Sequence, residues 1–265
     1  MKWAVISDVH ANAEALEAVL ASIEGENVDD ILCLGDIVGY GASPNEVVRM
    51  LRAADVKSIV GNHDRAAIGM KDPSDFGRMA KRAIGWTKRE LSDDSRAYLA
   101  SLPMIRKHGG EVLLFHGALH PAPNDDLHLS NPVRIQKTMT ALRVGGYGVR
   151  VGLFGHTHWP GVWRERDGAV DAVATGETVQ IDDGAHYLIN PGSVGQPRDG
   201  DERSSFAIFD AGERTLKFVR VEYDRTLAMA KAARAGLVGD PGPIARVRAR
   251  ASQMVTSALS ALRHG

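Results

Sequence analysis

The sequence predicts an α/β fold built from two packed β-sheets. Short apolar runs alternate with amphipathic helical segments through the first sixty residues, an order typical of right-handed crossovers and a largely parallel sheet. From residue 161 onward the apolar runs become shorter and are separated by turns, which indicates a second, more antiparallel sheet. Because the chain has no internal repeat and no low-complexity linker, we interpret both sheets as parts of one domain.

The spacing of apolar residues predicts the first strands and helices. Three short apolar runs have the character of buried strands, at residues 3–7, 31–35 and 58–61. Asn12 is a suitable N-cap for a helix between the first two runs, because the apolar residues that follow it recur with the period of one helical face. A second helix is expected to open at Ser43, where Ser43 and Glu46 form the pattern of a capping box around Pro44.

The remaining elements follow in a less regular order. Helices are expected over 75–90, over 92–101 and in a segment that ends near Leu142, with strands over 112–115 and 149–154. The shorter runs lie at 162–166, 178–181, 187–189, 206–209 and 216–223. A helical tail begins at Arg225, and its last segment carries the apolar stripe Val247, Ala251, Met254, Ala258 and Leu262. That stripe would pack on the domain or on a second copy of the chain.

Composition excludes several classes of protein. The 265 residues carry 32 Lys and Arg against 33 Asp and Glu, which argues against a nucleic-acid or membrane binder driven by electrostatics. A hydrophobic content of 44% with 25% charged residues excludes extensive disorder. Cys33 is the single cysteine, so no internal disulfide can form. Since no membrane-length apolar run and no signal peptide is evident, we expect a cytoplasmic protein.

Polar motifs follow five of the apolar runs, where the strands are expected to end. In chain order they are Ser7–His10, Gly35–Asp36, Gly61–Asp64, His116–Gly117 and Gly155–His158. Because the carboxyl ends of strands form the binding crevice of open α/β sheets, we expect these motifs to converge. Their metal-ligating side chains are Asp8, His10, Asp36, Asn62, His116, His156 and His158. Imidazoles, carboxylates and an amide oxygen favour two divalent transition metals over a cysteine-rich zinc site or a calcium site.

Together the five motifs resemble those of the calcineurin-like metallophosphoesterases, and most closely the small bacterial and archaeal phosphodiesterase branch. The segments 33–41 and 190–200 also resemble that branch, and the resemblance covers about residues 1–223. It implies a four-layer αββα sandwich with a dinuclear metal centre at one edge of the paired sheets. We therefore divide the chain into a metallophosphoesterase domain at 1–223 and a C-terminal helical extension at 224–265.

The resemblance also implies a ligand set for each metal. Asp8, His10 and His158 would hold the first ion, Asn62, His116 and His156 would hold the second, and Asp36 would bridge them. Two metals ~3.5–4 Å apart need such a shared anionic ligand, and a water between them then loses a proton near neutral pH and attacks phosphorus in line. We expect manganese, although the donor set also accepts iron, zinc, nickel or cobalt.

Other residues are expected to act on the substrate rather than on the metals. In the family's pattern His63 stands near the leaving-group oxygen as a general acid or stabilising cation, and Asp64 would orient its other ring nitrogen. The candidates for substrate contacts are Arg65 and Arg198, which could grip a phosphate, and the rim residues Tyr40, His120 and His128. Trp159, next to His158, is expected to be a packing residue rather than a stacking platform.

The sequence thus predicts a metal-dependent phosphoesterase, most specifically a phosphodiesterase acting on a small-molecule or nucleotide phosphate ester. Gly39–Gly41 and Asp64 stand where the superfamily's serine/threonine phosphatases have an arginine-containing motif and a glutamate, which argues against phosphoprotein substrates. A phosphomonoesterase or a dinucleoside-polyphosphate hydrolase would share the same metal core. An alternative of another class is a non-catalytic interaction scaffold, although such proteins typically lack ligands that are all present here. Self-association through the C-terminal helix stays open.

Overall fold

The computed structural model of the chain describes residues 1–122, 126–174 and 178–237. The strands in these residues are β1 Lys2–Ile6, β2 Asp30–Cys33, β3 Lys57–Ser58, β4 Ile105–His108, β5 Val112–Phe115, β6 Val151–Leu153, β7 Gly161–Arg166, β8 Ala169–Val173, β9 Val179–Gln180, β10 His186–Asn190, β11 Ser204–Asp210 and β12 Thr215–Val221. The helices are α1 Ala13–Glu24, α2 Pro44–Ala53, α3 Asn62–Ala67, α4 Arg78–Glu90, α5 Asp93–Ser101, α6 Pro132–Val144 and α7 Arg225–Arg234.

Each of the two six-stranded sheets is mixed and combines strands from both halves of the chain. The first has the order β3-β2-β1-β11-β12-β9, in which β1 pairs with β2 in parallel and with β11 antiparallel. The second has the order β4-β5-β6-β10-β7-β8, with β5, β6 and β10 parallel at its centre. The prediction that the strands after residue 161 form a sheet of their own is wrong, because β9, β11 and β12 extend the first sheet. Apolar patterning indicates which strands are buried but not which neighbour supplies their hydrogen bonds.

The packing of β1 defines the layers. Trp3 and Val5 face the apolar core between the two sheets, whereas Ala4 and Ile6 face a second core that is shared with α1 and α2. Successive side chains of a strand point to opposite faces, so both faces of β1 are covered over its buried residues 3–6. A third core lies between the second sheet and α6. The order helix, sheet, sheet, helix is the four-layer sandwich that the resemblance implies.

The helix termini agree with the predictions in part. Asn12 caps α1 as predicted, since its side chain accepts a hydrogen bond from the Ala15 N–H group at 3.1 Å. Ser43 forms no such bond at α2, although Pro44 occupies the first turn there. The helix predicted from residue 75 begins only at Arg78, and the preceding loop contributes side chains to the site described below.

The C-terminal extension is described only through residue 237. Helix α7 lies against α1, and Lys231 forms ion pairs with Glu14 and Glu46. The predicted apolar stripe at 247–262 lies outside the described residues. In the described part of the chain, no helix combines the length and the apolar character that crossing a membrane requires.

Candidate metal centre

Several motif residues that directly follow the strands have the left-handed backbone conformation. Asp8, His10, Asp36, His156 and His158 have φ values between +49° and +66°. Such values are costly for residues other than glycine and concentrate at functional sites, where the surrounding structure holds them. These turns follow β1, β2 and β6, so the carboxyl ends of strands from both sheets direct polar side chains toward one edge of the sandwich.

The structure brings the predicted ligands together in two adjacent buried clusters. The clusters consist of Asp8, His10 and His158, and of Asp36, His116 and His156, and within each the potential ligand atoms lie within 4.8 Å of one another. The Asn62 Oδ1 atom lies 3.0 Å from Nε2 of His116. Asp36 belongs to the second cluster but also approaches the first, because its Oδ2 atom lies 3.2 Å from Nε2 of His116 and 3.7 Å from Nε2 of His10. These distances bring all seven predicted ligands into one site.

A backbone carbonyl oxygen lies within hydrogen-bonding distance of one ring nitrogen of each histidine in the clusters. The pairs are His10 Nδ1 with Val38 (3.2 Å), His116 Nδ1 with Leu34 (2.7 Å), His158 Nδ1 with Gln196 (2.6 Å) and His156 Nε2 with Asp126 (2.9 Å). Because a carbonyl oxygen only accepts, each of these nitrogens must donate, and the other nitrogen of a neutral ring then carries a lone pair. The fold therefore fixes the tautomer that a metal ligand requires.

The contact between His10 and His158 indicates that this cluster fits a cation. Their Nε2 atoms are 3.0 Å apart, while each Nδ1 faces a carbonyl oxygen. In neutral rings two lone pairs would face each other at that distance, and they cannot form a hydrogen bond. Burial and the adjacent His158 hold the pKa of His10 well below its ordinary value, which disfavours a proton there. A divalent cation would satisfy both nitrogens and the neighbouring Asp8 carboxylate, whose Oδ1 is 3.2 Å from Nε2 of His158.

The buried carboxylates set the electrostatics of the site. Burial opposes the ionisation of Asp8 and Asp36, but His158 beside Asp8 and His116 beside Asp36 hold the pKa of each carboxyl below its ordinary value. Burial also disfavours a charged His116 ring, yet the Asp36 carboxylate and its hydrogen bond raise the pKa of His116 to about 10. The negative charge that attracts a proton to this ring would equally attract a metal ion.

The prediction that Asp64 orients His63 is wrong. The Asp64 carboxylate accepts hydrogen bonds from the backbone N–H groups of Gly61 and Val38, each at 2.9 Å. An acidic side chain in the first turn of a helix bonds readily to the free N–H groups there, and Asp64 is the third residue of α3. Among the described residues, none forms a hydrogen bond with the buried Nδ1 atom of His63. Asp64 therefore ties together two loops that carry motif residues.

Packing holds the His63 ring in place beside the clusters. Its centroid lies 4.8 Å from that of His10, 4.7 Å from that of Tyr40 and 5.0 Å from that of Phe76. A Cβ atom at Gly39 would lie 2.6 Å from Nδ1 of His63, and Gly39 itself has a φ of +96°. Glycine is thus required at residue 39 both for the backbone conformation and for the space that the ring occupies.

A cavity of about 240 Å³ opens over the clusters and separates the predicted substrate residues into two groups. Tyr40, Arg198 and His128 belong to its lining, together with His63 and several of the predicted ligands. Arg65 is not among the lining residues and forms an ion pair with Asp126, while His120 is exposed and also lies outside the lining.

Sequence reasoning missed five lining residues that lie in loops, Asp75 and Gly77 among them. The others are Lys71, Phe76 and Asp126. The Lys71 Nζ atom is 3.0 Å from the Asp126 carboxylate and 3.3 Å from that of Asp75. No pattern in these loops distinguishes the five from ordinary surface residues, and only the packing of the loops against the strand ends brings them to the site.

Comparison with known proteins identifies the family. The model of the calcineurin-like phosphoesterase superfamily domain matches residues 1–214. The chain belongs to this superfamily, as the five strand-end motifs predict. With its two buried clusters of histidine and aspartate, it is a metallophosphoesterase with two candidate metal sites.

Three relatives illustrate the range of similarity. An uncharacterised protein of Methanocaldococcus jannaschii is 40% identical over 223 residues, which are 83% of this chain and 87% of the relative. The crystal structure of a metallophosphoesterase from Sphaerobacter thermophilus is similar with a TM-score of 0.72 and 39% identity, over 90% of this chain and 95% of that one. A symmetrical bis(5'-nucleosyl)-tetraphosphatase of Baumannia cicadellinicola is 27% identical over 146 residues, 54% of this chain and 50% of the relative.

Proposed function

We propose that the protein is a metal-dependent phosphodiesterase that hydrolyses its substrate by in-line attack on phosphorus. The observation that carries this proposal is the pair of buried clusters with the Asp36 carboxylate close to both. Asp8, His10 and His158 would hold one ion, Asn62, His116 and His156 would hold the other, and Asp36 would bridge them. Manganese is the ion we expect, since it suits the carboxylate oxygens, whereas the imidazoles also accept iron, zinc, nickel or cobalt.

The ions, when bound, would supply a water molecule acidic enough to ionise near neutral pH and positive charge for the phosphate oxygens. His63 would act on the opposite side of the reaction, as general acid or as a cation beside the leaving oxygen. Burial lowers the pKa of the His63 ring, which makes its protonated form the stronger proton donor but also the less populated one. Tyr40, Phe76 and Gly39 confine the ring, so that its direction does not depend on a hydrogen bond.

The charges that line the cavity support a diester in preference to a monoester. A phosphate diester carries one negative charge near neutral pH, whereas a monoester carries close to two. The cations in the cavity lining are Lys71 and Arg198, and Lys71 is already paired with Asp75 and Asp126. Arg198, whose guanidinium carbon lies 5.9 Å from the centre of the Tyr40 ring, is thus the side chain best placed to contact a phosphate oxygen. Beside the two proposed metal ions, a single additional cation suits the one negative charge of a diester.

A direct assay tests this proposal. Metal-stripped protein reconstituted with manganese is given bis(4-nitrophenyl) phosphate and 4-nitrophenyl phosphate in parallel. We expect a higher kcat/KM for the diester, and no turnover of either compound before manganese is added. Preference for the monoester would overturn the diester assignment. Failure to hydrolyse either compound with manganese, iron, zinc, nickel or cobalt would contradict the proposed function.

A dinucleoside-polyphosphate hydrolase is the second candidate. The relative from Baumannia cicadellinicola, which is named for this activity, supports it over about half of the chain. Such an enzyme cleaves a phosphoanhydride rather than an ester, with the same kind of metal centre. Diadenosine tetraphosphate added to the same assay distinguishes the two candidates, because a preference of kcat/KM for it over the aryl diester would favour the second.

A further inference from the structure

A second and larger cavity adjoins the candidate metal centre. It has a volume of about 570 Å³, compared with about 240 Å³ for the cavity over the clusters. This volume falls in the range of roughly 300–1,000 Å³ that is typical of small-molecule sites. Its walls are largely apolar and include Trp159, Trp163, Ile135 and Val170, with the Gln136 side chain as a polar group among them.

His128 joins the two cavities. It belongs to the lining of both, and its ring stacks on the His156 ring with the centroids 3.9 Å apart and the planes at 24°. A substrate with its phosphate over the clusters could therefore extend past His128 into the larger cavity without crossing the protein interior.

Alternate residues of the segment 156–159 face the metal clusters and the larger cavity. His156 and His158 belong to the metal clusters, whereas Thr157 and Trp159 line the larger cavity. The Thr157 hydroxyl accepts a hydrogen bond from the Asn190 side-chain amide at 2.9 Å, which holds the segment to β10. The distance between the two cavities is thus determined by a few residues of one short loop.

The two tryptophans give the larger cavity an aromatic character. Trp159 is 56% exposed as a residue, so the prediction that it is a packing residue is wrong. Trp163 is held in place by Phe154, whose ring centroid is 5.6 Å away, and a Cβ atom at Gly161 would lie 2.8 Å from its indole. One fixed ring and one exposed ring can bind a planar aromatic group through burial and stacking.

We propose that this cavity binds a planar aromatic group of the substrate, namely the ester group that stays on phosphorus. This inference rests on the proposed function, because it assumes that a phosphate diester binds at the clusters. The rings that surround His63 belong to His10, Tyr40 and Phe76, and none of them lines the larger cavity. The leaving group would face His63, and the remaining ester group would point past His128 to the tryptophans.

Two diesters with the same leaving group test this proposal. The substrates are 4-nitrophenyl phenyl phosphate and 4-nitrophenyl methyl phosphate, which differ only in the group that stays on phosphorus. We expect the manganese-loaded protein to have a kcat/KM about tenfold higher for the phenyl ester, since an apolar pocket discriminates by about this factor. In the Trp159→Ala variant the ratio of the two kcat/KM values should fall toward one, because the exposed ring of the cavity is gone.

A second variant and a control guard against indirect effects. Ala172→Phe would fill the cavity from β8 and should lower the phenyl preference without removing an aromatic ring. Trp86→Ala removes a half-buried tryptophan of α4 that lies outside the cavity and should leave the ratio unchanged. An unchanged ratio in both cavity variants, or no phenyl preference in the unsubstituted protein, would overturn the proposal.

A binding measurement separates failure of this inference from failure of the proposed function. Phenylphosphonate and methylphosphonate are titrated into the manganese-loaded protein while the heat of binding is recorded by calorimetry, a signal that does not depend on the tryptophan itself. A saturable change with phenylphosphonate alone, absent in Trp159→Ala, would support the aromatic site even if neither diester were hydrolysed. No difference between the two phosphonates would count against the aromatic site even if both diesters were good substrates.

Discussion

The metal centre and the aromatic cavity share the segment 156–159, yet they are built in opposite ways. Backbone carbonyls fix the rings of the metal centre, and five of its residues have left-handed φ values. The aromatic cavity instead presents the exposed indole of Trp159 and apolar side chains from α6, β7 and β8. Ligation needs donor atoms at fixed positions, whereas apolar burial depends mainly on area and shape and tolerates variation. If the two sites act as we propose, the chemistry is rigidly determined and the choice of substrate is the more adaptable property.

The largest effect is expected from a substitution in the metal centre, which is the more rigid of the two regions. Asp36→Asn removes the negative charge that lies close to both clusters, while the amide still fills the same space. We expect turnover to fall below detection and the bound metal, measured by elemental analysis, to fall from two ions per chain. The matched control is Asp30→Asn at the start of β2, away from the clusters, which should keep both activity and metal content. Full activity in Asp36→Asn would contradict the bridging role.

The next largest effect is expected from a substitution of His63, which distinguishes a role in the reaction from a role in metal binding. His63→Ala should lower kcat by about 10²- to 10⁴-fold, the usual contribution of a general acid. Metal content should stay unchanged, because His63 is in neither cluster. His186→Ala, a half-exposed histidine of β10, serves as the control for loss of an imidazole. A loss of metal in His63→Ala would show that the ring has a ligating role instead.

A smaller effect is expected from the glycine that holds His63 in place. Gly39→Ala would bring a Cβ atom to 2.6 Å from Nδ1 of His63, and we expect kcat to fall by about tenfold or more through displacement of the ring. Gly168→Ala is a close match, because Gly168 also has a positive φ of +82° but no atom near its Cβ position. Both variants should lose about 1 kcal/mol of stability in thermal unfolding through the positive φ. Gly39→Ala should lose more because of the contact with the buried ring, and it alone should lose activity. Equal kcat values would rule out this steric role of Gly39.

The smallest expected effect concerns Cys33, at the end of β2. The side chain is fully buried, and burial raises the pKa of its thiol to about 12. Since the thiolate is the reactive form, a disulfide reagent at pH 8 should not label the native protein. The same reagent should label one equivalent after denaturation in guanidinium. Labelling of the native protein would indicate that this part of the first sheet opens more readily than its burial implies.

Much of the candidate site could be predicted because its information is local. Donor atoms are a property of residue type, and the apolar runs before Asp8, Asp36 and His116 identify the strand ends where such residues meet. Asp64 shows the limit of this reasoning, because its carboxylate could bind either the His63 ring or nearby backbone N–H groups. The carboxylate binds the N–H groups of Gly61 and Val38 instead of His63. The Gly61 N–H group lies at the start of α3, next to the Asp64 side chain.

The kinds of ligand, their order along the chain and most of the strand and helix segments follow from residue types and their spacing, and the motifs carry the resemblance to the family. The strands β4 and β8 and the short helix α3 were not predicted. The tertiary structure assigns β9, β11 and β12 to the first sheet, gives each clustered histidine its carbonyl partner, and exposes Trp159 beside an apolar cavity. His10 and His158 are separated by 148 residues, yet their Nε2 atoms lie 3.0 Å apart. A distance of this kind depends on how both sheets pack, and no local pattern contains it.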